Sequence, residues 1–153
     1  MINIHASGGR EMMEAARDAL RAFEKPPMLI AVTVLTSLNA NDLGQIGINR
    51  TVYEQTATLA SIAKSAGLDG VVCSAQEVSQ LRKLLGDEFA LVTPGIRPQG
   101  INVNDQKRVM TPSQAIGAGS DFLVIGRPIT QASDPLSVIK SINSQISSAH
   151  ENT

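Results

Sequence analysis

The sequence has one cysteine, Cys73, no tryptophan, and only two histidines, His5 and His150. A single thiol excludes a disulfide within the chain and points to a reducing compartment. With so few thiols and imidazoles, no zinc-type ligand cluster can be assembled. Aromatic residues are 3% of the chain and the net charge is −1. Nucleic-acid binding rests on a basic surface and stacking rings, and this chain is short of both. No apolar run is long enough to span a bilayer, and no signal peptide is visible. A cytoplasmic protein with no membrane or nucleic-acid partner is expected.

What is present fits an α/β domain. The chain has 153 residues, 42% of them hydrophobic and 18% charged, which leaves room for one domain with a substantial core. Short apolar, β-branched runs alternate with helical patterns. Strands are expected at residues 2–4, 28–35, 70–73, 90–93 and 122–125, and their continuous apolar character is that of strands covered on both faces. Helices are expected at 10–23, with Met12, Ala16, Ala19, Leu20 and Phe23 inward, and from Thr51 to about Ala66. Others follow Ser74, Thr111 and Asp134, and a short helix is expected within 39–49. Thr51 with Glu54, and Ser74 with Glu77, have the spacing of capping boxes. Pro112 stands in the first helical position behind Thr111. The tail from about Ser147 is polar and expected to fray.

Five strand–helix alternations mean a parallel sheet with right-handed crossovers. A five-stranded doubly wound fold has the right length. It would want a glycine-rich phosphate loop after its first strand, and His5-Ala-Ser-Gly-Gly9 lacks the GxGxxG spacing. The alternative is a (β/α)8 barrel or part of one, and the last strand favours it. That strand runs into Gly126-Arg127-Pro128. Gly126 lets a backbone N–H approach a ligand closely, and Arg127 offers a planar fork of donors suited to phosphate. A grip after the last strands is where barrels hold phosphate. A strand–turn–helix corner with a surface arginine is the plainer reading.

Residues 94–108 form the longest stretch without helix or strand signal and carry Arg97 and Gln106. Length, glycines and donors read as a lid over an anion, or else as a surface loop. Thr36 and Ser37 close a buried strand, where a hydroxyl could bond a substrate carbonyl or cap the next segment. His5 also ends a strand but has no visible partner, so a hydrogen-bonded structural histidine is expected. Cys73 reads as packing. Asp69 and Asp121 precede strands, the end of a barrel associated with stability.

HASGG (5–9), AVTVLTS (31–37), DGVVCSAQE (69–77), LVTPGIRPQG (91–100), DQKRVMTPSQAI (105–116) and DFLVIGRPIT (121–130) together resemble the bacterial branch of the orotidine 5′-phosphate decarboxylase family. The resemblance implies a (β/α)8 barrel, usually a homodimer. It implies conversion of orotidine 5′-monophosphate to UMP and CO2 without a cofactor. It implies that Arg127, the Gly126 N–H and Arg97 hold phosphate. Gln106 would bridge phosphate and pyrimidine from a closing loop, and Thr36 would touch the pyrimidine.

The chain departs from the family in one respect. The family's catalytic Asp/Lys network centres on a D-x-K-x-x-D motif, which this sequence lacks. The matched segments correspond to strands four to eight, so about three βα units, roughly 75–90 residues, are expected to be missing in front. No catalytic residue is therefore assigned. The expectation is one domain, residues 1–153, forming the C-terminal part of a barrel. It would be inactive alone, and would form a homodimer or pair with a chain supplying the other strands. A non-catalytic phosphate-binding module and another sugar-phosphate barrel enzyme are the alternatives.

Overall fold

The computed structural model describes residues 1–98 and 108–150, with side chains described as far as residue 147. Gln106 and most of the 94–108 stretch lie outside the described residues. Five parallel strands form one sheet: β1 (Ile2–His5), β2 (Leu29–Val32), β3 (Gly70–Val72), β4 (Ala90–Thr93) and β5 (Phe122–Leu123). Between and after them lie α1 (Arg10–Leu20), α2 (Ala40–Gln45), α3 (Val52–Ser65), α4 (Val78–Leu85), α5 (Pro112–Gly117), α6 (Arg127–Thr130) and α7 (Pro135–His150).

The strand order is β1-β2-β3-β4-β5, each new strand added beside the last. A doubly wound sheet reverses direction at a switch point. This sheet never does, so the doubly wound alternative is discarded. With right-handed crossovers, one-way progression puts all connecting helices on one side.

The core follows from that layout. Leu29, Ala31, Val71 and Leu91 alternate toward the helices and pack with Met13, Leu59, Ala60, Val78 and Leu81. Replacing one such leucine with alanine costs about 2–5 kcal/mol. The other face carries the row His5, Val32, Val72, Val92 and Phe122 in register across the sheet. In this row Val92 is buried, Val32 and Val72 are partly buried, and Phe122 at its end is 44% exposed. A smaller cluster of Ala75, Ile96 and Ala115, with Met110, Leu123 and Ile125, sits toward the last strand. Gly70 is required by packing, because a Cβ there would lie 2.4 Å from the Ala90 carbonyl oxygen.

Local signals set most boundaries. The boxes at Thr51/Glu54, Ser74/Glu77 and Thr111/Gln114 are all formed. Behind Ser74 a 3-10 turn, Ala75–Glu77, precedes α4. Four expectations need correction. β2 stops at Val32, although Thr33 N still donates to Val72 O at 3.1 Å. Val34 is apolar because it is buried beneath the following loop, so the apolar run outlasts the strand. α1 ends at Leu20 and buries Met13, leaving Ala19 exposed and Phe23 61% exposed. β5 has two residues where four were expected, and α7 continues to His150 through the polar tail.

The N-terminal ends of the strands are tied by charged groups. Asp69 Oδ2 accepts from Leu29 N at 2.7 Å, and Asp121 Oδ2 accepts from Leu91 N at 2.7 Å. Each aspartate thus clamps the start of the strand before its own, a stabilising role in keeping with its place ahead of a strand. Arg17 donates to Ala66 O, Lys64 to Leu85 O, and Arg82 to Gly119 O. In each case one helix hands a cation to a carbonyl at the end of a later one, α1 to α3, α3 to α4 and α4 to α5, where the helix dipole favours positive charge.

Candidate active-site rim

The loops at the C-terminal ends of β2, β4 and β5 carry Thr36, Arg97, Gly126 and Arg127. Thr36 lies in the turn after β2 and is 6% exposed. It does not cap α2. That cap is Asn39, whose side chain accepts from Asp42 N at 3.0 Å while Asp42 returns the bond to Asn39 N at 2.8 Å.

Beyond β4, Gly95 adopts φ +76°, a conformation that turns the chain at little cost only for glycine. The turn delivers Ile96 into a parallel bridge with Met110, and Arg97 N donates to Met110 O at 2.9 Å. Arg97 is 7% exposed and its Nη1 donates to Ile96 O at 2.9 Å. A guanidinium this withdrawn from water gains strongly from an anionic partner.

Arg127 opens α6 directly after β5 and is half-buried. Gly126 precedes it with φ −103°, and among the described residues, its chain neighbours aside, a Cβ added there would meet nothing within 4 Å. Arg97 and Arg127 thus follow adjacent strands, with Thr36 two strands away. The ring of His5 does not cap the turn after β1, and the residue is exposed, contrary to the bonded histidine expected.

The sequence reading passed over one pair. Arg108 Nη1 donates to Glu77 Oε1, and Arg108 Nη2 donates to Val34 O at 3.2 Å and Leu35 O at 3.1 Å. Glu77 Oε2 also accepts from Ser74 N at 3.1 Å. Burial raises the Glu77 carboxyl above its ordinary range, and this outweighs the opposing pull of Arg108. The capping box explained Glu77 by itself, and nothing local links it to a residue 31 positions away. Burial also pushes the Cys73 thiol far up, so it stays protonated and inert, in keeping with a packing role. Among the described residues no group of His, Cys, Asp and Glu could hold a metal ion, and no helix is long and apolar enough to cross a membrane.

A one-way parallel sheet with helices between its strands, and with arginines in the loops after β4 and β5, defines an α/β chain. The sequence model of the orotidine 5′-phosphate decarboxylase / HUMPS family matches residues 1–142, and the chain belongs to that family. It is 60% identical over 147 residues to orotidine 5′-phosphate decarboxylase of Pseudoalteromonas translucida, covering 95% of this chain and 63% of that protein. The enzyme of Actinobacillus pleuropneumoniae serotype 5b is 63% identical, with 95% and 64% covered. The crystal structure of orotidine 5′-phosphate decarboxylase from Lactobacillus acidophilus superimposes with a TM-score of 0.79 at 40% identity, covering 94% of this chain and 62% of that one. The chain thus spans less than two thirds of the length of these relatives.

Proposed function

We propose that this chain supplies the phosphate and pyrimidine grip of an orotidine 5′-phosphate decarboxylase, the carboxy-lyase that converts orotidine 5′-monophosphate to UMP and CO2 in pyrimidine biosynthesis. The observation that carries this reading is the pair Arg97 and Arg127, set after adjacent strands at the rim, in a chain about 60% identical to named decarboxylases. Arg127 and the Gly126 N–H take the phosphate, and the absence of a Cβ at 126 leaves room for it. Arg97 joins them from the β4 loop. Gln106 bridges phosphate and pyrimidine, and the Thr36 hydroxyl meets the ring.

Residues 1–153 are read as one domain, the later part of a (β/α)8 barrel whose strands four to eight are β1 to β5. The half-open apolar row from His5 to Phe122 then faces the barrel interior. The edges β1 and β5 pair with further strands, since unpaired edges aggregate or recruit partners. A homodimer in the cytoplasm, using no cofactor, completes the reading.

The grip contributes to catalysis through binding energy. Contacts to the phosphate, remote from the reacting carbon, supply free energy for orienting the ring and holding it away from water. Loss of CO2 leaves an electron pair on the ring carbon, which a proton donor within hydrogen-bond reach must meet. The family's D-x-K-x-x-D motif, expected to provide such charged groups, has no counterpart in this sequence. The 153-residue chain therefore binds UMP but does not turn over orotidine 5′-monophosphate until a polypeptide carrying that motif is supplied. Calorimetry with UMP and a spectrophotometric decarboxylation assay test both halves. Robust turnover by this chain alone would overturn the division of roles, and failure to bind UMP would overturn the grip.

A further inference from the structure

We propose that Arg108, held by Glu77, is a positioning residue that sets the β2 and β4 loops against each other and so fixes Thr36 relative to Arg97. The proposal rests on the nucleotide-grip reading above and adds to it a determinant of base against phosphate recognition. Five contacts carry it. Arg108 Nη2 bonds the carbonyls of Val34 and Leu35, the two residues before Thr36, at 3.2 and 3.1 Å. Two residues on from Arg108, Met110 O accepts the Arg97 N–H at 2.9 Å. Between them, Val109 O accepts from Gln76 Nε2 at 3.5 Å. Glu77 then anchors the guanidinium to the turn after β3. Segment 108–110 is therefore a cross-brace over three consecutive loops of the rim.

Stability alone is a poor reason for such a brace. A buried ion pair loses much of its Coulomb gain to desolvation, and apolar replacements are often neutral or better. What the pair adds is geometry. A planar fork that bonds a carboxylate on one side and two carbonyls on the other admits one placement of the β2 turn. Glu77 also neutralises Arg108, so this cation is not offered to a phosphate. Its influence on ligand falls on the side nearest Thr36.

The test compares UMP with ribose 5-phosphate, which keeps the phosphate and lacks the base, by chemical-shift titration of the full chain. Arg108→Gln is expected to weaken UMP binding by about tenfold, the size of one charge-assisted hydrogen-bond network lost. Ribose 5-phosphate should change by less than about twofold. Glu77→Gln should give the same selective loss, and Arg108→Lys, which keeps charge but not the fork, an intermediate one. If Arg108→Gln does not fold, the Arg108→Lys ratio of the two ligands decides. Equal loss for both ligands, or no loss for UMP, in variants with a cooperative melt would overturn the positioning role while leaving the grip intact. A parent chain that binds neither ligand would overturn both.

Discussion

The two ends of the sheet use the same side chains in opposite ways. At the N-terminal rim, charge is consumed. Arg82 gives Nη1 to the carbonyls of Gly86, Asp87 and Phe89 and Nη2 to Gly119 O and Asp121 Oδ2, all within 3.0 Å. Asp121 Oδ2 also accepts from Leu91 N. At the C-terminal rim, Arg108 pairs with Glu77 and braces the loops. Arg97 and Arg127 lie at that rim, buried and half-buried, in the loops after β4 and β5. On the proposed reading, the difference separates arginine that builds the fold from arginine that meets the phosphate.

Substitutions at the two ends sharpen this contrast. The largest effect is expected from Arg82→Ala, which strips several carbonyls and Asp121 of their donor. A loss of about 3 kcal/mol in urea unfolding is expected, because partly buried acceptors are left unpaired. UMP affinity of the folded fraction should stay within about twofold of the parent. A variant that unfolds normally but loses UMP would erase the distinction between the rims.

Arg127→Ala is the mirror experiment. UMP binding should fall about tenfold to a hundredfold, equivalent to roughly 1.5–3 kcal/mol for a charge-assisted contact to phosphate. Stability should fall by less than in Arg82→Ala, whose guanidinium serves five acceptors. Calorimetry giving equal affinity for variant and parent would remove Arg127 from the site. Asp69→Asn should cost about 1 kcal/mol, a charged acceptor exchanged for a neutral one at Leu29 N, with no change in binding.

A smaller effect concerns pH. The folded-state pKa of Glu77 lies above its ordinary 4.5 because of burial. The folded chain therefore binds this proton more tightly than the unfolded one. The stabilising contribution is fully present below about 4.5 and is lost as pH rises through the raised value. The stability of the parent relative to Glu77→Gln should accordingly decline across that window in paired urea titrations. A difference that grows with pH would mean that Arg108 outweighs burial. The smallest effect is at Cys73, which should react with a thiol reagent only on unfolding. Rapid labelling of native protein would contradict its burial.

Much of this contrast was legible in local patterns. The three capping boxes, the Asp134-Pro135 helix start and all five strands stand where spacing and turn residues put them. Lengths were less legible, because apolar character reports burial by any neighbour. Val34 is buried without belonging to a strand, and Met13 took the core position that helical spacing assigned to Met12.

The sequence by itself determined the alternation of strands and helices, the caps that start the helices, and the position of Arg97, Gly126 and Arg127 after strands. These depend on interactions between residues two to four apart, which periodicity records. Only the tertiary structure decided that the sheet advances one way, that Asp69 and Asp121 clamp the strands before their own, and that Arg108 spans from Glu77 to Val34 and Leu35. Those contacts join residues 30 to 74 positions apart. No local period encodes them, because they exist only once the strands have been laid side by side.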